Sequence, residues 1–257
     1  MKARYGFIVL AATLLGCATQ TPRPVSADEL IRVSEDLQIR QIDPDVWVHT
    51  SWHVLSDGRR LSSNGLIVRD GKQLLLIDTA WGVAPTQELT DWIARDLRLP
   101  IARLIPTHHH DDRIGGWPVL AALGVPLLAT PQTLSLSASA DITQTLDPAL
   151  TTLSENQTVV IGAVEVFAPG PAHSPDNLMV WLPRQAILFG GCAVKAVDAT
   201  QLGNIDEADF RGWPLAIQRA QQRYAQARVV VPGHGEPGDR ALLGHTLDLL
   251  KAETPAE

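Results

Sequence analysis

Residues 62–82, SSNGLIVRDGKQLLLIDTAWG, place two apolar runs on either side of Asp70-Gly71. An Asp-Gly pair between apolar runs is a hairpin signal, because the favoured two-residue turn needs positive φ at its centre. This commits the first half of the chain to antiparallel strands. VWVHTSW (46–52) alternates at period two just ahead of it. Further on the pattern changes to strand–helix units. PTQELTDWIARDLRL (85–99) has helical spacing after a proline start, IARLIPT (101–107) is a short buried strand, and RIGGWPVLAAL (113–123) opens another helix. VVIGAVEVFAPG, NLMVWLP and AILFGG are three further strands; a helix over 207–224, the strand ARVVVPG and a helix over 240–251 follow. Strand-rich halves with interspersed helices suggest two packed sheets with helices outside.

The chain has 257 residues, enough for one large domain or two small ones with a sizeable core. Its net charge of -7 and lack of a basic stripe exclude a nucleic-acid partner. No apolar run long enough to span a bilayer occurs beyond the N-terminus, which excludes a multi-span membrane protein. The N-terminus itself reads MKARYGFIVLAATLLGCATQ, a short basic region followed by an apolar segment, as in an export signal. LLGC (14–17) resembles a bacterial lipobox, with Cys17 as the acylated mature end; cleavage near Ala18 or after Ala27 is the alternative. The expected organisation is a signal over 1–16, a Thr/Pro-rich tether over 17–36 and one domain over 37–257. The expected address is the periplasm, with anchoring by lipid at Cys17 in the outer membrane as its membrane-bound form. Cys17 and Cys192 are the two cysteines, so once Cys17 carries lipid or leaves with the signal, Cys192 has no partner for a disulfide. An unpaired thiol there is either buried and inert or bound to metal.

PTHHHDDRIGG (106–116) holds three of the 8 histidines in a loop past a strand, where chemistry is often placed. On an extended turn His108, His110 and Asp112 project one way, while His109 and Asp111 face elsewhere. His173, Cys192 and His234 also sit just past strands. A lone histidine is seldom a ligand, and a lone cysteine is usually a small core residue. Six ligand-type residues just past four strands, divisible into two sets of three, are harder to dismiss. His108, His110 and His173 form an all-nitrogen set suited to a catalytic zinc with an open position. Asp112, Cys192 and His234 form an anionic mixed set in which thiolate again favours zinc over magnesium or calcium. Two neighbouring zincs that share a water generate a hydroxide nucleophile near neutral pH.

HHHDDRIGG, AHSPDN, GGCAVK, LGNIDEAD and VVPGHGEPG together resemble the subclass B1 metallo-β-lactamases, with the VIM-type branch nearest in phrasing. The likeness runs from about residue 37 to about residue 250. Most relatives of that fold carry histidine directly after the motif aspartate; here Arg113 stands there and Cys192 serves the second metal. The resemblance implies an α+β fold, a four-layer αβ/βα sandwich, and two Zn2+ per chain, the first on His108, His110 and His173. Asp112, Cys192 and His234 would hold the second. It implies hydrolysis of penicillins, cephalosporins and carbapenems by a zinc-bound hydroxide, antibiotic resistance, and a monomer. Asp112 and Asn204 would act in catalysis, with Asn204 positioning the lactam carbonyl, and Lys195 would grip the substrate carboxylate. A flap over 50–65 would bring Trp52 to the substrate. VIM-type enzymes typically lack a lysine three after the cysteine, so Lys195 departs from that branch.

Asp78, ending LLLID, is either a carboxylate that orients a ligand or a turn residue, and Arg113 is expected to neutralise Asp112 and Cys192. His49, His53, His109 and His245 are not expected as ligands, although His53 could reach substrate from the flap. Asp206, Glu207 and Asp209 read as an acidic helix start matched to the helix dipole. Two competing functions remain: another hydrolase of this fold acting on a lactone or thioester, and a non-catalytic zinc-binding lipoprotein. A metal scavenger would show a flexible His-rich tract and would not need Lys195 and Asn204.

Overall fold

A computed structural model of the protein describes residues 30–137 and 148–253. The expected signal and the lipidation site Cys17 lie outside the described residues. Strands β1 (Leu30–Arg32), β2 (Leu37–Asp43), β3 (Val46–Val54), β4 (Arg60–Asp70), β5 (Gln73–Ile77) and β6 (Ile101–Ile105) form one sheet in chain order. Neighbours are antiparallel up to β5; β6 joins β5 in parallel. A parallel pair needs a crossover, supplied by α1 (Val83–Trp92) and the π turn Ile93–Leu97 that continues it. Four short helices follow: α2 (Asp111–Ile114), α3 (Trp117–Ala122), α4 (Pro131–Leu136) and α5 (Pro148–Thr151).

The second sheet contains β7 (Thr158–Ile161), β8 (Val164–Phe167), β9 (Met179–Leu182), β10 (Ile187–Gly191) and β11 (Val229–Pro232), in the order β11-β10-β9-β8-β7. Here β10 and β11 are the parallel pair, with α6 (Gly212–Arg223) as crossover. Helix α7 (Ala241–Glu253) closes the described chain.

Alternation along β3 and β4 builds the layers. Val46, Val48, Leu66 and Val68 point between the sheets and meet Val166, Val180, Leu182 and Phe189. Trp47, Ile67, Leu74 and Leu76 point outward against Leu89 and Trp92 of α1 and Leu120 of α3. On the far side Trp181, Leu188 and Val230 pack against Trp213 and Ile217 of α6 and Leu243 of α7. Each such side chain contributes about 1.5–3 kcal/mol by leaving water. The result is helices, sheet, sheet, helices: the expected four-layer sandwich.

Three local expectations change. VVIGAVEVF is a hairpin, β7 and β8, because Gly162 turns the chain with φ 56°. The helix expected from 207 starts at Gly212, since the Asp209 carboxylate accepts from the backbone N–H groups of Arg211 and Gly212. The sheet starts inside the segment assigned to the tether: β1 pairs with β2, and Ile31 and Val33 pack on the outer core.

Candidate metal centre

The loop after β6 is set by Asp78, which takes φ 61° at the end of β5. Its carboxylate accepts from Thr107 N–H at 2.6 Å and from Thr107 Oγ1 at 3.0 Å. With its proton given to Asp78, the Thr107 hydroxyl accepts from His108 Nδ1, 3.3 Å away. That leaves the His108 Nε2 lone pair free. His110 has the opposite tautomer: Nε2 donates to Glu207 Oε2 at 2.9 Å, freeing Nδ1. The two free nitrogens face each other at 3.2 Å, and His173 Nε2 lies 3.3 Å from His110 Nδ1. Lone pairs so directed repel unless a cation sits among them. Burial, reinforced by His173 and Arg113, holds His108 well below the usual histidine range. Burial, then Lys195 and His110, brings His173 down to about 2. Both are therefore neutral and ready to ligate. His173 is kept in place by packing edge-on against Trp213, 5.8 Å between centroids.

A second trio adjoins the first. Cys192 Sγ lies 3.2 Å from His234 Nε2 and 3.7 Å from Asp112 Oδ2, and His234 Nε2 lies 3.4 Å from Asp112 Oδ2. His234 Nδ1 donates to Ser62 O, which turns Nε2 toward the trio. Gly233 permits this meeting of the β10 and β11 ends, because a Cβ there would stand 2.8 Å from Cys192 Sγ. The ligand atoms of His108, Asp112 and Cys192 lie within 4.8 Å of one another, so the two trios share a wall.

Arg113 is wholly buried beneath them. Nη2 donates to Asp112 Oδ2 at 2.7 Å, Cys192 Sγ at 2.9 Å and Gly233 O at 2.9 Å. Nη1 donates to Asn64 O at 2.6 Å and Asp78 Oδ2 at 3.1 Å. Burial alone would raise the Asp112 carboxyl, but Arg113 and the neighbouring histidines bring it down to about 2. Burial pushes the Cys192 thiol up to about 12 against the pull of Arg113, so metal would replace a proton there. Burial raises Asp78 to about 7, with Arg113 opposing.

A sequence profile of the metallo-β-lactamase superfamily matches residues 58–234, which include every residue of both trios. The chain belongs to the metallo-β-lactamase superfamily. It is 37% identical to a metallo-β-lactamase type 2 of Bacillus cereus, over 91% of this chain and 90% of that one. With the type 2 enzyme of Bacteroides fragilis the identity is 33%, over 89% and 91%. Among solved structures, a metallo-β-lactamase from Pontibacter korlensis is 44% identical and superposes with a TM-score of 0.76, over 84% of this chain and 100% of the other. The metallo-β-lactamase FIM-1 from Pseudomonas aeruginosa, solved in a mono-zinc form, is 33% identical with a TM-score of 0.79, over 87% and 100%. These relatives place the chain among the class B, B1-type enzymes.

The family frame gives meaning to the residues around the trios. Lys195 is 8% exposed, its ammonium 5.2 Å above the Trp213 ring, with no acidic partner among the described residues. Burial brings it down to about 8. Asn204 is exposed in the loop before α6, where its Oδ1 accepts from Asp206 N–H; no contact joins it to either trio. Trp52 lies on the opposite face of β3 from Ser51 and His53. Its ring sits under Arg60 at 4.9 Å, beside a cleft of about 210 Å³ that Asp198, Gly235 and Glu236 also line. The aromatic group at the trio is instead Trp81, edge-on to His234 at 6.1 Å and stacked at 5.0 Å by His53. Sequence reasoning missed Trp81, Thr107 and Glu207. Glu207, read as part of a helix start, contacts His109 at 3.1 Å as well as His110. His49 is buried beneath Gly65, and His245 donates from Nε2 to Ala199 O, away from both trios.

Proposed function

We propose that the chain is a dizinc β-lactamase of the periplasm, opening penicillins, cephalosporins and carbapenems and conferring resistance to them. The observation that carries the reading is the spacing of the two trios. Zinc bonds of about 2.0–2.3 Å to nitrogen, oxygen and sulfur give tetrahedral edges of roughly 3.3–3.6 Å. Two edges of the first trio are 3.2 and 3.3 Å, with all three atoms within 4.8 Å of one another, and the second trio has 3.2, 3.4 and 3.7 Å. The donor set agrees, since imidazole and thiolate together favour zinc over the hard cations. The mono-zinc form of the FIM-1 relative points to the same metal.

When bound, zinc supplies Lewis acidity and lets water ionise near neutral pH. His108, His110 and His173 would hold one ion; Asp112, Cys192 and His234 would hold the other, next to it. Hydrolysis adds the elements of water across the lactam C–N bond, hydroxyl to carbon and proton to nitrogen. The protein's own part is placement. Lys195, without an acidic partner, is suited to a substrate carboxylate near the ring nitrogen. Asn204, in the loop before α6, would orient the lactam carbonyl. Trp81 packs edge-on against His234, whose side chain stays 38% exposed, and Arg113 balances Asp112 and Cys192. Purified protein should hydrolyse a chromogenic cephalosporin, lose that activity to a chelator and regain it with added zinc. Turnover indifferent to the chelator would sink the reading.

A further inference from the structure

Lys195 stands in a stretch, 192–199, that follows β10 and holds turns but no helix or strand. Two backbone bonds fold it, Val194 N–H to Gly191 O and Ala199 N–H to Ala196 O, each at 3.1 Å. Neither takes up the N–H of Lys195, which is buried. Its acceptor is Thr246 Oγ1, 2.9 Å away on the wholly buried Thr246 of α7. The direction is forced, because the single hydroxyl hydrogen of Thr246 goes to Leu242 O at 2.8 Å. That bond fixes the threonine side chain and leaves a lone pair for Lys195. One residue earlier on the same helix, His245 Nε2 donates to Ala199 O at 2.8 Å. Helix α7 thus grips the stretch at Lys195 itself and again at Ala199. On local grounds a threonine inside a helix is a poor choice: it is β-branched, and its hydroxyl bonds back to the preceding turn. Alanine would suit α7 better if the hydroxyl had no task elsewhere. Its task is the Lys195 N–H, which would otherwise be buried without an acceptor.

We propose that Thr246 and His245 are positioning residues, which fix the backbone under Lys195 so that its ammonium stands where the substrate carboxylate arrives. The inference rests on the reading that Lys195 binds that carboxylate. The lysine stem is long and flexible, so the place of its head depends on a firm base. Helix α6 steadies the same stretch from its other end: Trp213 Nε1 donates to Ala193 O at 2.8 Å, and the Lys195 ammonium lies 5.2 Å above the Trp213 ring. Loosening the backbone would spread the ammonium over a wider volume and weaken its hold on a ligand. Thr246→Val, nearly the same in shape, should raise KM for a carboxylate-bearing β-lactam about three- to tenfold, the scale of one neutral hydrogen bond. His245→Leu should act in the same direction and more weakly, because it frees only the Ala199 end.

The test reads KM for a β-lactam acid and for its ester, together with zinc content and hydrogen exchange at the Lys195 amide. In Thr246→Val the amide should exchange faster and KM should rise for the acid, while KM for the ester and the zinc content stay unchanged. Thr246→Ser, which keeps the hydroxyl, should restore both the amide protection and KM. In a Lys195→Ala background, Thr246→Val should add little further loss. Should Thr246→Val fail to fold, His245→Leu, at a half-buried position, carries the same comparison. An unchanged KM for the acid, an equal rise for acid and ester, or losses that multiply with Lys195→Ala would overturn the clamp. A parent protein in which Lys195→Ala affects acid and ester alike would overturn the carboxylate reading itself, and this inference with it.

Discussion

Replacing Arg113 with alanine tests whether one buried guanidinium balances the anionic half of the site. Five donor contacts of 3.1 Å or less end on it, reaching Asp78, Asp112, Cys192 and the carbonyls of Asn64 and Gly233. Without it the buried carboxylates of Asp78 and Asp112 lose their counter-charge and the Asn64 carbonyl loses a donor, while Gly233 O keeps the N–H of Asn64 at 2.8 Å. Hydrogen bonds to a charged group contribute about 1.5–3 kcal/mol each, but the guanidinium's own desolvation offsets much of that sum. Removing one partner of a buried ion pair costs about 3–5 kcal/mol, a large share of a typical 5–15 kcal/mol stability. For a domain of this size that corresponds to a fall in Tm of about 6–20 °C. Asp78 limits the damage by taking up a proton, being already raised to about 7. Bound metal limits it further, because a cation then faces Asp112 and Cys192. Urea unfolding of the metal-free Arg113→Ala protein should show the full loss, and the metal-loaded protein a smaller one. A loss below about 1 kcal/mol in the metal-free protein, the level of an exposed pair, would refute this account of Arg113.

Cys192→Ser replaces a thiolate with a neutral hydroxyl, so under limiting zinc the protein should retain close to one ion per chain by metal analysis; two tightly held ions would remove the thiol from the ligand set. Lys195→Ala should raise KM for carboxylate-bearing β-lactams about ten- to hundredfold with metal content unchanged, and less for an esterified analogue. In the parent protein KM should climb as pH rises through about 8, where the buried ammonium loses its proton and its attraction for the carboxylate. A KM flat across that range would contradict the role given to Lys195. Cys17→Ser should move the protein from membrane to soluble fractions with purified activity intact; identical fractionation of both forms would exclude lipidation at Cys17.

The six candidate ligand positions stood out in the sequence because each places a ligand residue type just past a strand. Four loops, one from the first sheet and three from the second, bring such residues together. What the sequence hid was contact at long separation. Glu207 meets His110 across 97 positions. Local patterning made it an acidic helix start, and only the later start of α6 at Gly212 frees it for the histidines. Thr107 is an ordinary residue in LIPTHHH, and nothing local marks it as the link between Asp78 and His108. Trp52 and Trp81 show the limit of flap reasoning. One residue of register on β3 decides which face a side chain takes, so His53 reaches Trp81 while Trp52 turns under Arg60. Where strands begin was similarly hard to read: β1 sits in a polar N-terminal stretch, and only its pairing with β2 makes it a strand.

The central claim, that two adjoining trios hold two zincs, is tested most directly by anomalous diffraction from a zinc-loaded crystal at the zinc absorption edge. Two peaks are expected, one bounded by His108, His110 and His173 and the other by Asp112, Cys192 and His234. A peak outside these trios, or none within the histidine trio of fully active protein, would contradict the account.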